Sequence, residues 1–407
     1  MISTSLSPNT QKTDLFQSFK LLFHTPKNTL QNLETHLKNL LGLKYLFLTN
    51  SGRSAYLLLL QALGFPPNSQ IATQAFTCNA TINPLLWAGL KPLYIDIDQS
   101  LNLDPKDLEK KITKNTKAIV VQHTFGNPAN LKKILYLAQK HKLPLIEDCA
   151  HAIAVYYQGH PLGTFGQAAY FSFGRDKAIS SIYGGLLATN NQALAQKIQK
   201  IYEKLPFPSS LWTKKQLLHP LLFAAAKPFY HPLPLGKAFL WATRRLGLIT
   251  PAVAQMENQA QKPKYFPARL PPALAALVLS QIKKLGSYQH QRDLLQNLYQ
   301  SAFPTIKTPA VNEYAKPNWL RFPLLTPKAT AIAQNLKKKG VFLENWYQRV
   351  IDPPKGNLKS FHYLPGSCPQ AESLAGNILS LPTNIQTSPK KAKHLIKLLQ
   401  KELGTNQ

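Results

Sequence analysis

The chain has 407 residues, 44% hydrophobic and 16% charged, with 48 Lys and Arg against 18 Asp and Glu for a formal net charge of +30. That length supplies two or three domains with ample core. Three cysteines, Cys78, Cys149 and Cys368, give neither an even disulfide framework nor paired zinc spacing, so a reducing cytoplasm and no metal are expected. The charge excess comes without a recognition helix or paired zinc ligands and does not by itself make a nucleic-acid reader.

Met1 to Asp14 is polar, and the first apolar cluster, Leu15 to Phe23, is interrupted by Lys20, so no signal peptide is read. No stretch approaches the ~20 apolar residues that span a bilayer, and a soluble or peripheral protein is expected. Tyr45 to Leu48 reads as an apolar strand and Ala55 to Leu63 as a helix, with Thr49-Asn50-Ser51-Gly52-Arg53-Ser54 as the turn between them. An ordinary turn with a serine cap is the plain reading of that segment. It also opens a helix N-terminus, where Ser51, Gly52 and Arg53 can cradle a phosphate.

Leu143 to Ile146 reads as a short buried strand that delivers Glu147 and Asp148 to its C-terminal edge, where open α/β sheets collect their ligands. Ala168 to Phe173 is a further strand. Lys177 follows it in a polar loop, before Tyr183-Gly184-Gly185 leads into the strand Leu186 to Thr189. Singly, a lysine is a solvated charge, an aspartate a cap and a Ser-Phe pair packing. Jointly they carry chemistry: an amine condenses with an aldehyde, and a carboxylate keeps a pyridine nitrogen protonated as an electron sink. Lys177 and Asp148 therefore point to pyridoxal 5'-phosphate as cofactor, with both as catalytic residues.

Between Lys204 and Met256 the chain holds Lys204, Lys214, Lys215, Lys227, Lys237, Arg244 and Arg245 without one acidic residue, interleaved with Phe207, Trp212, Phe223, Phe229, Tyr230, Phe239 and Trp241. Such a segment suits an anionic membrane interface. An elaborated dimer or lid element is the competing reading, since Pro220, Pro228, Pro232 and Pro234 fragment a long helix. After about Tyr299 a smaller unit follows, with Leu320 to Leu325 as a strand and Lys390 to Leu403 as a terminal helix.

These motifs in this order resemble the DegT/DnrJ/EryC1/StrS family of sugar aminotransferases: Ser51-Gly52, Ala88 to Asp98, His123 to Ala129, Glu147 to His151, Gly163 to Gly166, Phe171 to Lys177 and Ile378 to Thr383. The resemblance implies an α/β fold of fold type I, in which helices flank a mixed, mostly parallel seven-stranded sheet and a small C-terminal α+β domain follows. It divides the chain into a cofactor domain with its N-terminal arm (1–203), the basic insertion (204–262), a reach-across segment with a linking helix (263–297) and the small domain (298–407).

By the same resemblance Lys177 would be joined to the cofactor's aldehyde, Asp148 would face its ring nitrogen, His151 would lie beside its phenolic oxygen, and Ser172 would share the phosphate with Ser51 and Gly52. The family places an aromatic over the ring where this chain has Cys78, with Phe76 two residues earlier; either is a candidate. In Tyr265 to Leu270, Pro267 stands where the family brings an asparagine to the neighbouring subunit's phosphate, and Arg269 is the candidate to compensate across a homodimer. The implied reaction moves an amino group, from glutamate as donor, to a nucleotide-linked keto sugar. Relatives with histidine in place of the lysine act as dehydratases, which the retention of Lys177 argues against. A pyridoxal-dependent lyase or desulfurase, or an inactive binding protein of this fold, is the alternative.

Overall fold

The computed structural model describes residues 1–5, 9–231 and 234–404. Seven strands form its central sheet: β1 (Tyr45–Thr49), β2 (Gln70–Gln74), β3 (Lys91–Ile95), β4 (Thr116–Gln122), β5 (Leu145–Asp148), β6 (Ala168–Ser172) and β7 (Gly185–Thr189). Their spatial order is β1–β7–β6–β5–β4–β2–β3, with β7 antiparallel to both neighbours and every other pair parallel. The mixed, mostly parallel sheet expected from the sequence is the one observed.

Because successive strand residues point to opposite faces, the sheet feeds two cores. Leu46, Leu48, Ile119, Val121, Ala169 and Phe171 pack on one side; Phe47, Ala118, Val120, Ala168 and Tyr170 pack on the other. Both faces are covered by helices, which is why these strands read as near-continuous apolar runs.

Strand direction decides what meets at one edge. The ends of β1, β5 and β6 lie there, and so does the start of antiparallel β7. The turn after β1, Asp148, Ser172 and Gly185 are thereby brought together from four separate stretches of chain.

The smaller unit is built on an antiparallel pair, β8 (Arg321–Leu325) and β9 (Ile378–Pro382). Phe322, Leu324, Leu379 and Leu381 pack there against Leu395 and Leu399 of the terminal helix Pro389–Leu403. Two short parallel pairings tie the chain's ends and middle to this unit. Ile351 and Asp352 pair with Thr77 and Cys78, and Ile2 and Ser3 pair with Val341 and Phe342. The N-terminal arm, which the sequence grouped with the large domain, thus begins on the small one.

The basic insertion folds as the helices Ser210–Ala226 and Leu235–Arg245, and Pro220 sits inside the first without ending it. No described helix is long and apolar enough to cross a membrane. The segment expected to reach into a neighbouring subunit lies along its own β1. The Asn50 amide donates to the Ala268 carbonyl at 2.9 Å and the Leu270 amide to Leu48 at 3.1 Å. Arg269 is engaged within its own chain as well: it donates to the carbonyls of Tyr202 and Glu203 and lies over the Tyr202 ring, 5.0 Å from its centre. Those end-of-helix carbonyls carry the negative end of the helix dipole, which is what a guanidinium seeks.

Candidate active site

A cavity opens at the strand edge just described. Its lining includes Ser51, Gly52, Arg53, Asp148, Ser172 and Lys177, and adds Cys78 and His151 from flanking turns. Every sequence-predicted site residue except Phe76 therefore contributes to it. Phe76 is fully buried outside the lining, its ring edge-on to Tyr347 at 5.1 Å in the core shared with the small unit.

Asp148 ends β5 almost fully buried. Its Oδ1 accepts the Ala150 amide at 3.0 Å and its Oδ2 accepts the Thr81 hydroxyl at 3.2 Å. Burial pushes its pKa up, against these hydrogen bonds and the charge of Lys177. A buried carboxylate raised in this way is stabilised by any cation brought within hydrogen-bond reach.

Burial pushes Lys177 down from its ordinary value, while Cys78, Asp148 and Asp176 pull the other way. Its Nζ lies 5.7 Å from the centre of the Trp346 ring. The loop carrying it is held from behind by the N-terminal arm: the Asn9 amide donates to the Lys177 carbonyl at 2.6 Å and to that of Ala178 at 3.0 Å.

His151 accepts the Phe125 amide on Nδ1 at 3.2 Å, which places its ring proton on Nε2. Burial, then the charges of Lys177 and Arg321, hold it well below its ordinary pKa and so neutral. The ring is stacked between Phe125 and Trp346, both 5.9 Å from it.

The turn after β1 also lines the cavity. Ser51 caps the helix Gly52–Leu63 by accepting the Ser54 amide at 3.0 Å, so the plain reading of that turn is correct as far as its side chain goes. The first amides of a helix have no intrahelical acceptor, and those of Gly52 and Arg53 remain for an anion. The Arg53 guanidinium is committed elsewhere: it pairs with buried Glu257, donates to the Ala252 carbonyl at 2.8 Å and lies 4.7 Å from the centre of the Phe266 ring. Burial lowers its pKa and Glu257 more than reverses that.

Close approach explains the glycines. A methyl on Gly52 would press on Ser172 Cβ at 3.1 Å, and one on Gly185 would overlap the Ser51 carbonyl and the Gly52 amide. Gly185→Ala is therefore expected to cost about 2–3 kcal/mol of stability and to weaken cofactor retention. Gly286→Ala, in a helix with open space around it, is the neutral control. Urea titration and cofactor release on gel filtration measure both.

Behind the cavity, His123, Glu147 and Cys149 cluster closely enough to suggest a metal. The hydrogen bonds say otherwise. Glu147 accepts the Phe165 and Gly166 amides at 2.7 Å on one oxygen, and on the other the Gly163 amide at 2.8 Å and His123 Nε2 at 3.3 Å. His123 Nδ1 accepts the Ala129 amide at 3.2 Å. The carboxylate is fully used as a clamp that fixes the end of β5, and with it Asp148. The thiols are held protonated: burial drives Cys149 well up and Cys78 to about 11, which leaves no ready thiolate for sulfur chemistry.

The residues present fit pyridoxal phosphate. One cavity is lined by a buried carboxylate that a ring cation would stabilise, an amine of lowered pKa, and the first helix amides beside Ser172 and a Gly52 that has no room for a side chain. Sequence reasoning missed Thr81, Gln122, Tyr183, Trp346 and Tyr347 in the lining.

Beside this cavity, across the wall Thr250 to Val253, lies a wider cleft. It is lined by Arg244 and the amides of Gln255, Asn258 and Gln259 from the insertion, and by Lys355 and Asn357 from the small unit. It has no acidic side chain in its lining. Arg175, on the lysine's loop, donates to the Thr250 carbonyl and links the two spaces.

The fold is that of the type I pyridoxal-phosphate enzymes. The sequence profile of the DegT/DnrJ/EryC1/StrS aminotransferase family matches residues 14–205 and 249–400, and the chain belongs to that family. Residues 206–248, most of the insertion, fall outside the match. The spore coat polysaccharide biosynthesis protein SpsC of Bacillus subtilis strain 168 is 29% identical over 293 residues, 71% of this chain and 66% of SpsC. GDP-perosamine synthase of Escherichia coli O157:H7 is 33% identical over 168 residues, 41% of this chain and 46% of the synthase. Among solved structures, Helicobacter pylori PseC, an aminotransferase involved in the biosynthesis of pseudoaminic acid, superposes with a TM-score of 0.75 at 22% identity over 100% of both chains. The chain thus spans just under two thirds of SpsC and less than half of the synthase.

Proposed function

We propose that this chain is a pyridoxal-phosphate-dependent aminotransferase that moves an amino group, with glutamate as donor, onto a keto sugar carried by a nucleotide. The observation that carries the reading is that Lys177, Asp148 and the Ser51–Arg53 turn, distant in sequence, line one cavity. The bound cofactor supplies an aldehyde for the amine and a protonated ring that accepts electrons.

In this reading Lys177 would hold the cofactor and, as a neutral amine, would move a proton at its Nζ. Asp148, positioned by Thr81 and Ala150, would favour the protonated ring. His151 would offer its Nε2 proton as a donor within the site. The Gly52 and Arg53 amides with Ser172 would take the phosphate, and Trp346, Tyr347 and Cys78 would exclude water from the cavity. Purified protein should be yellow, and glutamate should bleach the band. Colourless protein saturated with added cofactor would refute the reading.

The polar cleft supports the nucleotide part, since Arg244 and Lys355 offer the two charges that a diphosphate asks for. Arg244→Gln with Lys355→Gln should raise KM for the sugar nucleotide about tenfold or more while leaving glutamate bleaching unchanged. Stopped-flow of the two half-reactions separates these effects.

Two further parts of the reading concern assembly and place. We propose a homodimer, as family membership favours, with sedimentation velocity at working concentration as the test. The chain would work in the cytoplasm, in peripheral contact with a membrane through 204–256, a placement that the acid-free composition of this stretch favours.

A further inference from the structure

Exposed large apolar side chains are unevenly spread over this molecule. Phe16, Phe19 and Phe23 stand on and just beyond the helix Lys12–Leu21, and Phe229, Leu235, Phe239, Trp241 and Leu246 stand on and around the helix Leu235–Arg245. Phe23 is 78% exposed, Leu246 73%, Trp241 63% and Phe16 60%. Isolated exposed leucines need no explanation, but an aromatic stripe at helical spacing, as Phe16, Phe19 and Phe23 form, does, and so do exposed rings on two sides of one helix, as Phe239 and Trp241 are.

The two helices are parts of one layer. Each packs on the insertion helix Ser210–Ala226, which lies between them. The helix Leu235–Arg245 buries little more than Gly236 and Thr243, and a methyl on Gly236 would overlap the Ala226 carbonyl. A narrow seam of small residues therefore holds the helix close while its remaining sides face outward.

Charge follows the same outward face. Lys12 and Lys20 flank the phenylalanines, with the Lys20 Nζ 4.3 Å from the centre of the Phe16 ring. Arg245 flanks Trp241, its guanidinium carbon 5.3 Å from the centre of a Trp241 ring. Asp14, the one acid of the helix Lys12–Leu21, is turned inward and paired with Lys284 at 2.6 Å. The insertion helices have no acid at all. A subunit interface of this size would bring compensating acids or bury the bases, whereas anionic headgroups meet every cation and leave room for rings among the acyl chains.

We infer that the helices Lys12–Leu21 and Leu235–Arg245 form a single two-part face that docks on an anionic lipid surface. The inference rests on the membrane placement proposed above and extends it to the N-terminal helix, which lies inside the family match and far from the insertion in sequence. Docking would hold the enzyme at a surface without a spanning segment, leaving the catalytic cavity, on the strand edge, to its own substrate.

The test is flotation of the holoenzyme with vesicles of mixed phosphatidylglycerol and phosphatidylcholine against pure phosphatidylcholine, at low and high salt. Wild-type protein should float with the anionic vesicles alone and be released by salt. Phe16→Ser with Phe19→Ser should lower binding at least tenfold, and Lys20→Gln and Arg245→Gln about fivefold for each charge removed. Because surface variants can alter solubility, Trp241→Phe supplies a second readout: it should bind normally yet lose the fluorescence quenching that brominated acyl chains cause in wild type.

If wild type floats and the Phe16/Phe19 variant floats equally, the N-terminal half of the face is wrong while the placement through 204–256 stands. If wild type does not float, both fall. Loss of a dimer on Trp241→Ser, without lipid binding, would identify the face as a subunit contact and overturn the inference. Transamination in lipid-free buffer reports on the catalytic reading separately.

Discussion

Lys177→Ala should fold, bind pyridoxal phosphate without the visible imine band, and lose transamination by about four orders of magnitude. The side chain is removed from a loop whose backbone is held independently, by Asn9 on the Lys177 and Ala178 carbonyls, so the loss reads as chemistry rather than disorder. Borohydride should trap the cofactor on the Lys177 peptide of wild type and nowhere in the variant. Burial lowers the lysine's pKa in spite of Cys78, Asp148 and Asp176, so the neutral amine that moves the proton is populated at lower pH than an ordinary lysine allows. The rate should accordingly rise with pH and reach its plateau well below 10.5, the ordinary lysine value. Trapping at another lysine with the rate preserved would end the assignment.

The sequence made one half of the site legible and hid the other. Asp148, Ser172 and Lys177 could be found because each ends or follows an apolar run, and in a parallel sheet every such end lies on the same edge. Thr81 and Trp346 could not. Thr81 sits in the first turn of a helix, where a threonine is unremarked until the fold points it at a carboxylate; Trp346 comes from the small unit, on the far side of the insertion. Glu147 shows a third case, visible as a motif but not as a clamp, since three of its four donors come from the turn Gly163 to Gly166 and the fourth from His123, both distant in sequence. Arg269, the candidate to compensate across a homodimer, is also held by carbonyls of its own chain at Tyr202 and Glu203, acceptors that the sequence does not reveal. The insertion's composition marked it as unusual, yet which side of its helices faces outward depended on Gly236 and Thr243, two small residues whose role appears only when the helix packs.

Asp148→Asn is the more exacting experiment, because it changes one atom and no volume. The Ala150 amide still has an oxygen to meet, and the Thr81 hydroxyl can turn to accept, so the fold should survive. What disappears is the charge opposite the ring nitrogen, and the ring then loses its proton and most of its power to accept electrons. A loss of about 10²–10³ in kcat is expected, with weaker cofactor retention, measured by donor bleaching in stopped flow. The pH profile distinguishes this from simple damage. Burial raises the Asp148 pKa before the cofactor binds, so cofactor uptake by the apoenzyme should fall on the acid side at a higher pH than a free carboxyl near 3.8 would give, as protonation removes the same charge. In Asp148→Asn that acid limb should vanish. Thr81→Val should move it further up, because the Thr81 hydroxyl stabilises the ionised form and its loss leaves burial less opposed. An acid limb unchanged in both variants would mean that the carboxylate of Asp148 does not set the state of the ring.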